Sequence, residues 1–309
     1  MPNPDDKTIG LIGLGLVGSA LAKRFTAAGF TVVGFDVNPD RRREMAAAGI
    51  AIAESCAHIP PQANRMVLSL PDSNCVMDVL FGPRGMGAGS LAGKWIVDTT
   101  TGDPMATVDI AQKVQSAGGA YIDACIIGSS RLVLEGGAVV SAGGREEDMR
   151  RCGDLFSAFT DKLFHMGSPG KGSQAKLAAN LVLGLHRFVL SEGLLFAEAL
   201  NLDLNKVLDL LKSGVSYSRI MDAKGEKMIA RNFQPEARMA QHLKDVNLIL
   251  QMGERFNAPL PLTRLHQKLL QQGVSEGKGD LDNCAIIEVL RLFSCANNPD
   301  PPAPKCSQK

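Results

Sequence analysis

The sequence predicts an α/β chain, with a Rossmann-type doubly wound sheet followed by an all-α domain. Of the 32 glycines, 24 lie at or before Gly172 and eight lie after it, so turns concentrate in the first part. Short apolar runs alternate with helical patterns there, whereas the second part carries helical spacing throughout. We therefore predict a sheet domain at 1–168 and a helical domain at 169–296, joined in the segment Gly167–Asn180.

The first part of the chain alternates predicted strands with predicted helices. Its expected strands are Lys7–Leu14, Thr31–Phe35, Arg65–Ser69, Trp95–Asp98, Ala120–Ala124, Ala138–Ala142 and Lys162–His165. Helical patterns include Ser19–Ala28 and Glu146–Phe159, and a loop is expected at Cys125–Ser130. Ligands of such sheets collect where the parallel strands end, so these ends are where we expect a site.

The second part shows the spacing of apolar residues that is typical of helices. The predicted helices are Leu177–Leu200, Leu204–Ser213, Ser218–Ala230, Ala240–Phe256, Pro261–Gln272 and Leu281–Phe293. The last segment, Asn297–Lys309, is polar and rich in proline, and we expect it to be a disordered tail.

Composition narrows the class of function. With 45% hydrophobic residues, 21% charged residues and a net charge of +1, the chain has no global field to attract nucleic acid or an anionic membrane. The most apolar windows, Ile9–Ala22 and Leu177–Leu185, are too short or too broken by glycine to cross a bilayer. We therefore expect a small-molecule partner, with no nucleic acid and no membrane.

Cysteine and histidine usage bears on location and metals. The seven cysteines are an odd number without a CxxC pair, which indicates reduced thiols and a cytoplasmic protein. The amino terminus, MPNPDDKT, lacks the profile of a secretory signal. The five histidines have no metal-site spacing, so we expect no metal ion.

A glycine motif follows the first predicted strand at once. Gly13, Gly15 and Gly18, with Leu16 and Val17 between them, form G-x-G-x-x-G where the strand gives way to a helix. The first glycine permits the turn, the second lets the backbone approach a pyrophosphate, and the third lets helix and strand pack closely. The positive end of the helix dipole then faces the phosphates. This arrangement predicts a dinucleotide-binding site.

Asp36 indicates which dinucleotide is bound. It closes the second predicted strand, where a carboxylate accepts hydrogen bonds from the adenosine ribose and repels a 2′-phosphate. NAD is therefore the expected cofactor. Arg41, Arg42 and Arg43 follow a helix cap at Asn38, so we expect them along the next helix, as a solvated face, rather than at the strand tip.

A possible catalytic pair lies in the segment that joins the two domains. Lys176 and Asn180 are four residues apart in a predicted helix and therefore share one helix face. A lysine beside an amide is suited to protonate a carbonyl oxygen and hold it in place. The alternative is a solvated lysine with a surface asparagine.

The ordered motifs resemble the β-hydroxyacid dehydrogenase family, which includes 3-hydroxyisobutyrate dehydrogenase and tartronate semialdehyde reductase. The resemblance covers roughly 7–293. It is carried by GLIGLGLVG, by LPDS at Leu70–Ser73, DTTTGDP at Asp98–Pro104, YIDACIIGSS at Tyr121–Ser130, GKGSQAKLAAN at Gly170–Asn180, LKD at Leu243–Asp245 and GDLDN at Gly279–Asn283.

The resemblance implies roles for particular residues. It makes Lys176 the catalytic acid and base and Asn180 its aid in substrate binding. It places Leu70, Pro71 and Thr101 along the dinucleotide and lets Lys244 reach the cofactor from the helical domain. It also implies a homodimer or homotetramer that assembles through that domain.

The substrate loop departs from the family pattern. The family sequence D-A-P-V-S-G-G holds the substrate carboxylate, but here Ile127 replaces the serine and is followed by Gly128, Ser129 and Ser130. Backbone N–H groups at Gly128 and Ser129 remain suited to bind an anion. The identity of the short hydroxyacid is left open by this change.

We therefore interpret the chain as an NAD-dependent dehydrogenase that interconverts a small, anionic hydroxyacid and its aldehyde or ketone. Two alternatives remain. An imine reductase shares the architecture but commonly replaces the lysine, whereas a non-catalytic NAD-sensing protein keeps the glycine turn without needing Lys176, Asn180 and Lys244 together.

Overall fold

The computed structural model describes residues 7–296 of the 309-residue chain. The chain divides into two compact units between Asn180 and Leu181. The tail that we predicted at 297–309 lies outside the described residues.

The first unit is built on one sheet of eight strands, in the order β3-β2-β1-β4-β5-β6-β7-β8. The first six follow the 3-2-1-4-5-6 order of the doubly wound dinucleotide-binding fold, and only the β6–β7 pair is antiparallel. The strands are β1 Thr8–Ile12, β2 Thr31–Phe35, β3 Ala51–Ile52, β4 Arg65–Leu68, β5 Trp95–Asp98, β6 Ala120–Ile127, β7 Val139–Gly143 and β8 Lys162–Gly167.

Both faces of this sheet are buried. Successive residues of a strand point to opposite faces, so Val67 packs in one core cluster and its neighbours Met66 and Leu68 pack in another. A parallel strand that is covered on both sides reads as a continuous apolar run. This explains why the short apolar segments of the sequence predict the central strands correctly.

Helices cover the sheet, and several begin at the caps that the sequence supplies. Asn38, Asp72 and Asp103 each accept a hydrogen bond from a backbone N–H of the first turn that they cap. The helices of this unit are α1 Leu16–Ala27, α2 Pro39–Ala47, α3 Ser73–Phe81, α4 Pro104–Ser116, α5 Ser130–Leu134, α6 Glu146–Arg151 and α7 Gly153–Phe159.

Two predicted elements of this unit are wrong in detail. Strand β6 continues to Ile127, because Cys125–Ile127 pair antiparallel with β7, so the loop expected at Cys125–Ser130 begins only at Gly128. The helix expected at Glu146–Phe159 breaks at Cys152, whose φ of -102° and ψ of 8° are not helical. Neither feature has a strong local signal in the sequence.

The second unit is helical, as predicted. Leu204–Ser213 is confirmed to the residue, whereas the helix expected at Ser218–Ala230 is a π-helical turn at Met221–Gly225 followed by a short helix. The helices from the division onward are α8 Lys171–Ala199, which begins in the first unit, α9 Leu204–Ser213, α10 Glu226–Ile229, α11 Met239–Arg255, α12 Pro261–Gly273 and α13 Ile286–Ala296.

The length of helix α8 contradicts the expectation that the most apolar segments of the chain are too short or too broken by glycine to cross a bilayer. It runs for 29 residues and contains an 18-residue window of mean hydropathy 1.2, so by length and composition it is able to cross a membrane. The core helix of a folded domain meets the same criterion, and α8 contains Lys176, Asn180 and Arg187, all buried. Length and hydropathy alone are therefore weak evidence for a membrane-spanning segment.

Candidate functional site

The turn after β1 needs glycine at two of its three motif positions. A Cβ on Gly13, whose φ is 93°, would lie 2.1 Å from the carbonyl oxygen of Ser69. A Cβ on Gly18 would lie 1.9 Å from the carbonyl oxygen of Gly13. Because neither position has a Cβ, α1, β1 and the end of β4 are able to pack closely. This is the role that the motif predicts for its first and third glycines.

Gly15 differs from the other two because its surroundings are open. No atom lies within 4 Å of the position that a Cβ would take there. Gly15 also caps α1, which has no side-chain cap and no acidic residue in its first turn. The N–H groups at the start of a helix carry partial positive charge, so Leu16 and Val17 present donors beside this open space. These residues fit a pyrophosphate.

Asp36 is held firmly at the end of β2. Its Oδ2 accepts a hydrogen bond from the N–H of Leu14 at 2.6 Å, and its Oδ1 accepts one from the N–H of Asn38 at 2.8 Å. The carboxylate thus links the glycine turn to the tip of the second strand. Both oxygens keep lone pairs for a further donor, as a ribose hydroxyl would require.

The three arginines after Asp36 do not behave alike. Arg41 and Arg43 pair with carboxylates of α2, as a solvated helix face would. Arg42 instead donates from Nη1 to the backbone carbonyl of Asp36 at 2.8 Å and lies over the Phe35 ring, 5.6 Å from its centroid. The expectation that all three avoid the strand tip is therefore wrong for Arg42.

The ends of β4 and β5 meet beside the glycine turn. Leu70 donates its N–H to Oγ1 of Thr100 at 3.1 Å, and Ser69 donates its N–H to the carbonyl of Ile12 at 2.9 Å. These bonds hold the chain around Leu70 against the strands on both sides. Pro71 is exposed and Thr101 is half-buried. The carboxyl ends of β1 and β4 flank the point where strand order reverses, the usual place for a ligand in this fold.

A buried carboxylate fixes the start of α8. Asp123 lies on β6 opposite Asp98 of β5 and is 1% exposed. Its Oδ1 accepts a hydrogen bond from the N–H of Gly170 at 2.8 Å. Its Oδ2 accepts two from Ser173, from the N–H at 2.6 Å and from Oγ at 3.0 Å. Burial raises the pKa of Asp123 to about 6, against the opposing effect of these hydrogen bonds.

Glycines let the helix approach this closely. A Cβ on Gly172 would lie 2.7 Å from both the carbonyl oxygen of Asp123 and the N–H nitrogen of Gly143. Ser141 of β7 adds a hydrogen bond from Oγ to the carbonyl of Gly172 at 2.9 Å. The first turn of α8 is thus bound to two neighbouring strands.

Lys176 and Asn180 lie one and two turns beyond that anchor, on one face of α8. They are 6% and 4% exposed, so the solvated pair considered above is excluded. Lys176 lies near Cys125, where its charge is one of the influences that lower the pKa of the thiol. Burial and the charge of Asp123 outweigh it and raise the pKa of Cys125 to about 12. The thiol therefore stays protonated and is unsuited to act as a nucleophile.

The altered substrate loop leaves β6 at Ile127. Gly128 follows with a φ of 147°, in the region that favours glycine. Ser129 caps α5, since its Oγ accepts a hydrogen bond from the N–H of Leu132 at 3.4 Å, and Ser130 opens the helix. The Ser129 oxygen is thus already engaged locally, and Ile127 supplies no hydroxyl in its place.

Lys244 belongs to α11 in the second unit. Its Nζ lies 3.1 Å from Oδ1 of Asp245, the next residue, and its side chain is 26% exposed.

Within residues 7–296, no group of three or more His, Cys, Asp or Glu side chains is placed to hold a metal ion.

Residue patterns assign Asp123 and Ser173 no role of their own, although one signal points to Asp123. Asp123 stands in a strand whose neighbours, Ile122 and Ala124, are apolar and buried. A charged residue at such a position needs a partner, but its partners lie 47 and 50 residues away. Residue pattern alone does not identify them.

Two family models match this chain. One, described as the NAD binding domain of 6-phosphogluconate dehydrogenase, matches residues 8–167. The other, described as NAD-binding of NADP-dependent 3-hydroxyisobutyrate dehydrogenase, matches residues 170–290.

Individual relatives agree with these matches. A 2-hydroxy-3-oxopropionate reductase of Escherichia coli (strain K12) is 32% identical over 251 residues, which cover 81% of this chain and 86% of the relative. The cytokine-like nuclear factor N-PAC of Aedes aegypti is 27% identical over 250 residues, which cover 81% of this chain but only 45% of that longer protein. The structure of a 3-hydroxyisobutyrate dehydrogenase from Salmonella typhimurium has the same fold, with a TM-score of 0.83, 22% identity and coverage of 91% of this chain and 99% of the other.

Alanine substitutions at Gly15 and Gly18, made one at a time, distinguish an effect on cofactor binding from an effect on folding. Gly18→Ala should lower the free energy of unfolding by about 3 kcal/mol, because its Cβ has no space. Gly15→Ala should change it by less than about 0.5 kcal/mol, yet raise the dissociation constant of NADH about tenfold or more, ~1.4 kcal/mol. Urea unfolding and NADH fluorescence titration measure the two effects. Equal NADH affinity in Gly15→Ala and wild type would contradict the pyrophosphate site.

Asp123→Asn should reduce kcat on the order of 10 to 10², because an amide accepts through only one atom and the turn before Lys176 shifts. NADH affinity should change little. Since the pKa of Asp123 is raised to about 6, wild-type kcat should also decline below that pH, where the carboxyl group gains a proton, and the variant should lack this acid limb. Steady-state kinetics against pH measure both effects.

A second capping carboxylate provides the control. Asp203 accepts hydrogen bonds from the N–H groups of Asn205 and Lys206 at the start of α9, so Asp203→Asn removes the same kind of contact elsewhere. Its kcat should match wild type. A similar loss of kcat in both variants would mean that Asp123 has no special effect on Lys176.

Proposed function

Because the chain belongs to the β-hydroxyacid dehydrogenase family, whose members are NAD(P)-dependent oxidoreductases of small hydroxyacids, we propose that Lys176 is its general acid and base. In this proposal the enzyme interconverts the CH–OH group of a small anionic hydroxyacid with the corresponding aldehyde or ketone. The substrate and the assignment of Lys176 are the parts that experiments must test.

One observation carries the proposal: a buried lysine and a buried asparagine share a face of α8 directly after a turn that is bound to the sheet. Buried lysines are rare because desolvation of an ammonium group is costly. A lysine kept in such a place, one turn from a buried amide, is suited to transfer a proton at a defined position.

In the reductive direction the Lys176 ammonium donates a proton to the carbonyl oxygen of the substrate, and in the oxidative direction the neutral amine removes it. Asn180 orients the same oxygen through a hydrogen bond. The nicotinamide supplies or accepts hydride when it is bound. The contribution of the protein is position and a matched proton donor.

We assign the cofactor-binding residues from the geometry of the first unit. Gly15, Leu16 and Val17 would hold the pyrophosphate, and Asp36 would hold the adenosine ribose. Leu70, Pro71 and Thr101 would line the rest of the dinucleotide, at the ends of β4 and β5. We further propose that Lys244 contacts the cofactor, as the resemblance implies.

The proposed substrate is anionic, with its acidic group on the loop that follows β6. The N–H groups of Gly128 and Ser129 are suited to an anion, and Ser130 offers a hydroxyl nearby. Ile127 places an apolar side chain where the family pattern has serine. We therefore expect a pocket that contacts more apolar surface of the substrate than one lined by the serine.

A substrate screen tests the proposed activity. Purified enzyme is offered hydroxyacids, sulfonates and polyols with NAD and NADP. It is also offered short semialdehydes and cyclic imines with NADH and NADPH, and turnover is followed at the nicotinamide absorbance. Turnover of at least one anionic substrate is expected. Tight NADH binding with no turnover of any compound would favour the non-catalytic alternative, whereas turnover of cyclic imines alone would favour an imine reductase.

Lys176→Ala should reduce kcat on the order of 10²–10⁴, the usual contribution of general acid and base catalysis. Alcohol oxidation needs the neutral amine and carbonyl reduction needs the ammonium, so in wild type the first rate should rise with pH where the second falls. Lys176→Arg should also be inactive, because guanidinium does not deprotonate in this range. Steady-state rates in both directions, measured against pH, check these points.

NADH affinity serves as the control for Lys176, because the lysine faces the substrate and not the dinucleotide in this mechanism. It should stay within about threefold of wild type in both variants. A Lys176→Ala enzyme with nearly normal kcat would remove lysine from the mechanism and leave Asn180 or water as the proton carrier.

The preference for NAD is a finer proposal than cofactor use itself, and it depends on Asp36. We expect kcat/KM to favour NAD over NADP by about tenfold or more, the scale of one charge-assisted hydrogen bond. Asp36→Ala should erode this preference. Arg42→Ala should lower the remaining NADP activity more than Arg41→Ala does, because only Arg42 reaches the strand tip. Equal use of both cofactors by wild type would contradict the role of Asp36.

We also propose a cytoplasmic homodimer or homotetramer. The five cysteines with described side chains are free thiols. On α8, Val182, Val189 and Phe196 are exposed by 50%, 63% and 66%. Their spacing of seven residues aligns them on one helix face, which suits a second copy of the chain.

Val189→Glu combined with Phe196→Glu should convert the assembly to a smaller species, because charges would be buried in the apolar contact. Light scattering after size-exclusion chromatography gives the mass. Val215→Glu is the control, since Val215 is fully exposed but lies outside the α8 stripe. Unchanged mass in the double variant would move the interface elsewhere.

A further inference from the structure

Arg187 brings a positive charge into the interior of the second unit. It lies on α8 and is 2% exposed. Its Nε and Nη1 atoms are buried and have no hydrogen-bond acceptor among the residues that the structure describes. Burial lowers the pKa of Arg187 to about 10, so the group remains charged at neutral pH. A buried charge without a partner is among the least favourable groups in a protein.

The carboxylate of Asp282, whose charge acts on Arg187, is already engaged by other groups. Its Oδ2 lies 3.0 Å from Nζ of Lys224 and accepts the N–H of Glu236 at 2.9 Å. Lys227 lies 3.8 Å from the same oxygen, and Lys224 also pairs with the Glu236 carboxylate at 3.0 Å. The carboxylate of Asp282 is thus bound to these groups, while Nε and Nη1 of Arg187 remain without an acceptor in the described part of the chain.

A second buried donor lies near Arg187. His266 of α12 is 2% exposed, and its Nε2 has no hydrogen-bond partner in the described part of the chain. Burial and the charge of Arg187 lower the pKa of His266 to about 4, which keeps the ring neutral at physiological pH. A neutral imidazole donates one hydrogen bond without adding charge.

The His266 ring is fixed by its neighbours. It stacks on Phe188, with 5.4 Å between ring centroids, and lies 5.2 Å from the ring of His242. Gly184 allows both imidazoles to approach α8, since a Cβ there would lie 2.7 Å from Nε2 of His242 and 2.9 Å from Cε1 of His266. The donors are thus held in place without a ligand.

We propose that Arg187 and His266 bind a small monovalent anion, a short carboxylate or a halide, in the interior of the second unit. One negative charge offsets that of the Arg187 guanidinium, and its lone pairs accept the donors that lack an acceptor. Water would satisfy the donors but leave the charge. A dianion such as phosphate would overcompensate it. None of these residues has a part in the cofactor, proton-transfer or substrate roles assigned above.

Thermal unfolding of the full-length protein, with neither cofactor nor substrate present, tests this proposal. Sodium formate or sodium bromide replaces sodium methanesulfonate at constant ionic strength, because methanesulfonate is bulkier than either anion. Wild type should show a Tm that rises and saturates with formate or bromide, as expected for a ligand of the folded state. The failure of this experiment is independent of the proposed enzyme activity.

Two leucine variants test whether the rise in Tm depends on Arg187. Arg187→Leu should abolish the rise in Tm, whereas Arg255→Leu, which removes an exposed arginine of α11 in the same unit, should retain it. A wild-type Tm that does not depend on the anion would overturn the proposal. So would a rise that persists unchanged in Arg187→Leu.

A milder variant covers the case in which Arg187→Leu does not fold. His266→Phe keeps an aromatic ring against Phe188 but removes the donor, so the formate concentration at half-saturation should rise about tenfold or more. Crystals soaked in bromide should show an anomalous peak within hydrogen-bond distance of Arg187 and His266. An unchanged half-saturation point, or water alone at this position, would refute the site.

Discussion

Asp123 places a carboxylate in a strand whose adjacent residues are apolar, and the proposed chemistry depends on what that carboxylate holds. Its three hydrogen bonds go to Gly170 and Ser173, where α8 begins. A helix leaves its first N–H groups without internal partners, so a fixed carboxylate both satisfies them and sets where the helix starts. Lys176 follows Ser173 by three residues, less than one turn. Its position is therefore determined by β6 through these three hydrogen bonds.

Burial of the Asp123 carboxylate is energetically unfavourable, and this explains the hydrogen-bond donors and glycines around it. Burial disfavours the charged carboxylate and raises the pKa of Asp123 to about 6. The ordinary pKa of an aspartate carboxyl group is 3.8, so the folded protein binds this proton more tightly than the unfolded chain does. The contribution of Asp123 to stability therefore falls as pH rises from about 4 through 6. The hydrogen bonds from α8 offset part of this cost, and they require close approach. Glycine at 143 and 172 allows that approach, because a Cβ at either position would lie within 2.8 Å of at least two neighbouring atoms.

The sequence predicted whatever depends on local pattern. Buried parallel strands leave apolar runs, the turn after β1 leaves three glycines, and Asn38 marks the start of α2, so these features were read correctly. The extension of β6 to Ile127 depends on pairing with β7, and the break at Cys152 depends on packing, so neither was visible. Arg42 turns toward Asp36 although Arg41 and Arg43 do not, which no residue pattern distinguishes. The partners of Asp123 are distant in sequence and emerge only from the fold. The burial of Lys176 and Asn180 likewise required the structure.

The proposed substrate loop and the hydrogen bonds that position Lys176 lie at different places on β6. This explains how the loop can change while the proposed chemistry is retained. The proposed cofactor residues lie on the turns after β1, β2, β4 and β5. The position of Lys176 depends on Asp123 at the middle of β6 and on its neighbours in β7. Ile127 is the last residue of β6, four positions beyond Asp123 and outside every hydrogen bond that fixes α8. Ser129 is engaged in capping α5, so the loop is also stabilised by itself. In the proposed enzyme, an isoleucine in place of serine therefore alters what the loop offers a substrate without moving Lys176. The proposed selection of substrate and the proposed transfer of the proton depend on different ends of the segment 123–127.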